Sequence, residues 1–162
     1  AQNCRICCLS SSQVFDGTKS FRKIDDEVHP ITEYGRQKVS LENNILAIDR
    51  GVILRLTKVE YENGKLLRKW KADLDSGKPI QPFYDVYISP ISVDNVTEKI
   101  SDIADSENFS GLSHFGGERE ISWAEYARIL WGRWGCDESL IHPVSHLRDG
   151  RILPIHSSLA AE

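Results

Sequence analysis

The chain has 162 residues, of which 40% are hydrophobic and 27% charged, and carries a net charge of −4. That length fits one domain, and that composition fits a packed core rather than a disordered polymer. No apolar run reaches the roughly 18–20 residues of a membrane span, no basic-then-apolar leader opens the chain, and the acidic total argues against nucleic acid as a partner.

The first expected element is a strand over 5–10. Ile6-Cys7-Cys8-Leu9 is a continuous apolar run, as in a parallel strand buried on both faces. Ser10-Ser11-Ser12 breaks it, and a polar loop follows to His29-Pro30, where proline pushes its predecessor out of helical geometry. A helix is expected over 32–50, with Tyr34, Lys38, Leu41, Ile45 and Ile48 forming one stripe and Gly51 as the stop. Val52 to Leu56 reads as a second buried strand. Strand, loop, helix and strand together describe a crossover unit of a parallel sheet. Beyond it, helices are expected over 64–76 and 92–105, a strand or hairpin over 84–91 and a strand over 109–115. Ser122-Trp123-Ala124-Glu125 is a capping box. It opens a helix that presents Trp123, Ala127, Leu130 and Trp134 on one face and stops at Gly135. The tail from Cys136 has no strong periodicity.

Charge is uneven: residues 1–81 sum to +3 and residues 82–162 to −7. Solvated surface explains this; an anionic ligand facing the first half is the functional alternative. Cys4, Cys7 and Cys8 cluster, but no second Cys-x-x-Cys follows, so small buried side chains are expected rather than a metal site. Without a secretory leader, a cytoplasmic setting with reduced thiols is the default. Methionine is absent even from position 1. The chain is therefore expected to be processed or to belong to a longer protein.

Lys38 is the chemically unusual residue. A lysine on an apolar stripe is costly unless its charge is used. It lies one helical turn beyond Tyr34, and an ammonium beside a phenol favours the phenolate, which suits proton transfer near neutral pH. A second Tyr-x-x-x-Lys, Tyr61 to Lys65, straddles an Asn-Gly turn signal and need not share a face. The plain alternative for Tyr34/Lys38 is a helix edge with Lys38 reaching for water. Ser11 would end its strand at the carboxyl rim, where open parallel sheets bind ligands, beside the start of the tyrosine helix. A serine, a tyrosine and a lysine so placed can polarise a carbonyl and protonate its oxygen.

Ser10-Ser11-Ser12-Gln13-Val14-Phe15-Asp16-Gly17, followed by Pro30 and Tyr34-Gly35-Arg36-Gln37-Lys38, resembles the extended short-chain dehydrogenase/reductase superfamily. The likeness is to the branch of dTDP-4-dehydrorhamnose reductase and its relatives. Looser matches are Leu54-Arg55-Leu56-Thr57, Gly77-Lys78-Pro79-Ile80, the segment from Ser89 to Val96, and Gly111 through Ala127. The resemblance implies an α/β fold: the C-terminal part of a Rossmann-type, doubly wound parallel sheet over 1–60, and a smaller α+β substrate-binding portion over 61–162. It implies Tyr34 as general acid/base and Lys38 as its partner, both holding the nicotinamide ribose of NAD(P)H. Ser11 would bind the reacting oxygen of a sugar-nucleotide substrate, and Arg55 and Lys78 would be further substrate contacts. A homodimer or a partner protein is also expected. The family's opening strand, Gly-x-x-Gly-x-x-Gly turn and helix have no counterpart here, as though the chain enters the pattern midway with about a hundred residues missing. Weak or absent turnover of this chain alone is therefore expected. Two alternatives stay open: a non-catalytic regulatory or nucleotide-sugar-binding module, and a small zinc protein using Cys4, Cys7, Cys8 and a histidine.

Overall fold

The computed structural model describes residues 5–61, 64–106, 109–150 and 152–160. Its centre is a three-stranded parallel sheet, β1 (Ile6–Ser11), β2 (Gly51–Leu56) and β6 (Gly111–Phe115), in the order β1-β2-β6. Every residue of β2 is buried, Arg55 included, as befits the middle strand of a sheet covered on both faces. Val52, Leu54 and Leu56 pack with Ile91, Val96 and Ile103, the last two on α3 (Val93–Asp105). The alternate residues face α1 (Glu33–Leu46), so helices cover both sides of the sheet. This is the α/β, doubly wound arrangement expected.

β1 departs from expectation. Ile6, Cys7 and Leu9 are exposed, because β1 is an outer strand of the described sheet, with α1 packed on one face only. The stripe on α1 is also corrected. The helix ends at Leu46, and its buried residues are Gly35, Glu42 and Ile45, while Tyr34 and Ile48 are exposed. Gly51 opens β2 rather than closing the helix.

The remaining elements form a second layer. β3 (Lys58–Glu60) pairs in parallel with β5 (Pro90–Ser92), and β4 (Tyr87–Ile88) pairs antiparallel with β7 (Ile121–Ser122). The expected hairpin over 84–91 is thus absent: its two halves pair with different distant strands. α2 (Lys65–Asp75) and α4 (Trp123–Trp134) enclose a core of Leu67, Trp70, Leu74, Tyr126 and Leu130. The capping box closes as read, with the Ser122 hydroxyl accepting from the Glu125 amide (3.0 Å), and Gly135 takes the left-handed conformation that ends α4 (φ 65°). The tail is tied by bridges, Ile80 with Ile141 and Phe83 with Val144. From Lys58 onward the chain thus builds the second layer and also returns β6 to the central sheet.

No described helix is long and apolar enough to cross a membrane. Among the described residues, no three His, Cys, Asp or Glu side chains gather into a metal-binding group. Cys4 lies outside the described residues.

Candidate active site

The end of β1 runs directly into a single 3-10 turn, Ser12–Val14. The Ser11 hydroxyl caps that turn by accepting from the Gln13 amide (3.2 Å). One lone pair is thereby used, while the hydroxyl proton remains available to donate. Gln13 also joins the turn to the next helix. Its Oε1 accepts from Thr32 Oγ1 (3.2 Å), and Thr32 Oγ1 caps α1 by accepting from the Gly35 amide (3.0 Å). Gly35 lets this junction close: a Cβ there would stand 2.2 Å from the Gln13 carbonyl oxygen and 2.8 Å from Pro30 Cβ. Tyr34 therefore emerges at a point of unusually close approach between α1 and the Ser11 turn.

Tyr34 is about half exposed, and Lys38 Nζ lies 5.6 Å from its ring centroid. The ammonium donates to the Leu9 carbonyl (2.9 Å), which anchors it to β1. With three donors on the ammonium, others remain for a ligand hydroxyl. Lys38 is thus held by a backbone carbonyl rather than sunk in the apolar face of the helix. Tyr61 and Lys65, the competing pair, do straddle a turn: the Gly64 amide donates to Tyr61 O (2.7 Å) and Lys65 begins α2.

Ser11 and Tyr34 line one cleft of about 860 Å³ between the two layers. Its far walls come from the second layer and include Trp70, Phe83, Tyr87 and Trp123. Trp70 and Trp123 meet edge to face, with ring centroids 5.9 Å apart. Apolar walls around a few polar groups are the usual make-up of a small-molecule site.

Arg55, expected as a ligand contact, does not line this cleft. It is 4% exposed and pairs with Glu42, which is 3% exposed. Arg55 Nε donates to Glu42 Oε1 (3.0 Å) and Nη2 donates to Oε2 (2.8 Å). Sheet register explains the pairing: Ser10, Arg55 and His114 are partners across β1, β2 and β6, and so form one row. Ser10 Oγ donates to Glu42 Oε1 (2.5 Å), and Arg55 Nη1 donates to His114 Nε2 (3.3 Å). Because a guanidinium can only donate, Nε2 accepts and the imidazole is the neutral Nδ1–H form. Burial, and then the Arg55 charge, lower the pKa of His114 to about 4. Lys78 is likewise outside the cleft wall. It is exposed beyond α2, and its amide donates to Asp73 O (2.8 Å).

Sequence reasoning missed Glu42, which stands four residues beyond Lys38 and so continues the same side of the helix. It also missed Lys58, although a cation directly after a fully buried strand sits at the rim where ligands bind.

Residues 1–157 match the family model described as RmlD substrate binding domain. A dTDP-4-dehydrorhamnose reductase of Sinorhizobium fredii is 28% identical over 163 residues, covering 95% of this chain and 51% of the relative. A second, from Aggregatibacter actinomycetemcomitans, is 29% identical over 140 residues, covering 80% and 47%. The chain therefore spans about half the length of the curated relatives it matches. Among solved structures, a dTDP-4-dehydrorhamnose reductase of Clostridium acetobutylicum superposes with TM-score 0.85 at 25% identity, over 96% of this chain and 56% of that one. One from Bacillus anthracis, in complex with NADP, superposes with TM-score 0.86 over 98% and 57%. At 21% identity, that likeness bears on the fold alone.

Proposed function

The chain belongs to the RmlD substrate binding domain family, and on that premise we propose that it is the site-bearing part of an NAD(P)H-dependent reductase of a 4-keto sugar nucleotide. The observation that carries the reading is the convergence of Ser11 and Tyr34 on one cleft, with the Lys38 ammonium over the Tyr34 ring. In the proposed division of labour, residues 1–60 carry these three groups and residues 61–162 form the substrate-binding portion.

The residues present suit the nicotinamide-ribose end of a dinucleotide. Lys38 spends one donor on Leu9 O and has others for ribose hydroxyls, beside the Tyr34 phenol. When bound, that cofactor supplies hydride. Ser11 donates a hydrogen bond from its hydroxyl to the substrate carbonyl oxygen and orients it, keeping its own proton. Tyr34 gives its phenolic proton to the same oxygen as the carbonyl becomes an alcohol. Lys38, with its charge fixed by Leu9 O, stabilises the phenolate that remains. The aromatic walls exclude water from the reacting carbon.

The test joins this chain to the N-terminal dinucleotide-binding half of a relative and follows NADPH and NADH oxidation driven by dTDP-4-dehydrorhamnose. Carbonyl-dependent oxidation is expected; its absence in a folded, nucleotide-binding fusion contradicts the reading. A second reading is a non-catalytic nucleotide-sugar-binding module. It predicts sugar-nucleotide binding by the same fusion without turnover.

A further inference from the structure

Lys58 begins β3 immediately past the end of β2 and lines the cleft that Ser11 and Tyr34 share. Among the described residues lining that cleft it is the one charged side chain, and no carboxylate stands there to balance it. Its Nζ lies 5.7 Å from the Trp123 ring centroid. Among the described residues, no acidic group comes within ion-pair distance of it. Glu60, the nearest acidic influence along the strand, is drawn toward Arg133 (3.9 Å). Burial lowers the pKa of Lys58, the mark of an ammonium that has lost water without gaining a full counter-charge. The ring face recovers only part of that lost hydration. The cleft thus holds a preformed and only partly compensated positive charge against an aromatic wall, next to hydroxyls able to orient a ligand.

We propose that Lys58 is an anion-recognition and specificity residue, receiving a negatively charged oxygen group of the ligand bound between the two layers. Two sources share this chemistry: the diphosphate of a sugar nucleotide, or a carboxylate on its sugar. The inference rests on the proposed sugar-nucleotide reading for the identity of the ligand, and not for the existence of the anion site.

Calorimetric titration of the chain with UDP-glucose, UDP-glucuronic acid and inorganic pyrophosphate tests it, comparing wild type with Lys58→Gln and Lys58→Arg. Lys58→Gln is expected to weaken binding about tenfold or more, equivalent to about 1.4 kcal/mol, and Lys58→Arg to restore most of it. Equal losses for both nucleotide sugars and for pyrophosphate assign the diphosphate. A loss confined to UDP-glucuronic acid assigns the sugar carboxylate. Lys58→Met keeps the aliphatic stem on Trp123 and provides the same comparison if the Gln variant melts early. Pyrophosphate binding that depends on Lys58, without binding of either nucleotide sugar, keeps the anion site and removes the substrate reading. Unchanged affinities in Lys58→Gln and Lys58→Met, or no binding of any probe to wild type, overturn the proposal.

Discussion

Replacing Glu42 by Gln should be among the most damaging single changes in this chain, although it keeps the side-chain shape. The substitution leaves the Arg55 guanidinium buried at 4% exposure with no anion beside it. Two charge-assisted bonds of 3.0 and 2.8 Å lose their charge, and the acceptor of Ser10 Oγ is weakened as well. The Phe15 ring, 5.1 Å from the guanidinium, is too weak a substitute, and neutral His114 adds no charge. Removing one member of a buried pair costs about 3–5 kcal/mol, because the other is left uncompensated. That is a large share of the roughly 5–15 kcal/mol typical of a domain. Denaturant unfolding followed by circular dichroism measures it. The double replacement Glu42→Leu with Arg55→Met removes both charges and should recover most of the loss. A loss under about 1 kcal/mol in Glu42→Gln, the size found for exposed pairs, would refute the claim that this pair is desolvated. The consequence reaches the site: Glu42 holds Ser10, the neighbour of Ser11, and stands one turn beyond Lys38.

Three further outcomes follow from the geometry. Gly35→Ala drives a Cβ into the Gln13 carbonyl at 2.2 Å, so it should cost about 1–3 kcal/mol by overpacking, read by thermal melting, and part α1 from the Ser11 turn. His114 takes its proton near pH 6.5 when unfolded but only near 4 in the fold. Unfolding therefore takes up a proton between those values, and stability should fall by up to about 3 kcal/mol as pH drops from 6.5 to 4, measured by unfolding at several pH values; His114→Gln should flatten that slope. Ser122→Ala removes the acceptor for the Glu125 amide and should cost about 1 kcal/mol in the same unfolding assay.

Local chemistry made much of the scaffold legible. Caps and stops at Gly64, Ser92, Ser122 and Gly135 bracket helices whose bounds lie close to those read from the pattern, while α1 starts at its Thr32 cap as read but ends at Leu46, short of the expected stop. The buried run in β2 is as read, because a strand covered on both faces needs no partner information to be recognised. What escaped depends on partners distant in the chain. β4 and β5 are too short to show a period, and each is defined by a strand it meets elsewhere. The exposed side of β1 reflects its outer place in the sheet order, which a residue string does not carry. The site divides the same way. The proximity of Ser11, Tyr34 and Lys38 was legible because a strand end and a four-residue helical spacing suffice to place them. The burial of Arg55 was not legible because it is set by register with Ser10 and His114 and by pairing with Glu42. Lys58 was overlooked because only the closing of the second layer places it against Trp123.

The most direct test of the proposed carbonyl reduction is turnover of the dinucleotide-binding fusion described above carrying Tyr34→Phe, paired with its melting midpoint. Tyr34 is about half exposed, so losing its hydroxyl should leave the melt almost unmoved. Removing the proton donor should lower turnover by about 10²–10⁴-fold. Undiminished turnover in that variant would contradict the assignment of Tyr34 as the acid.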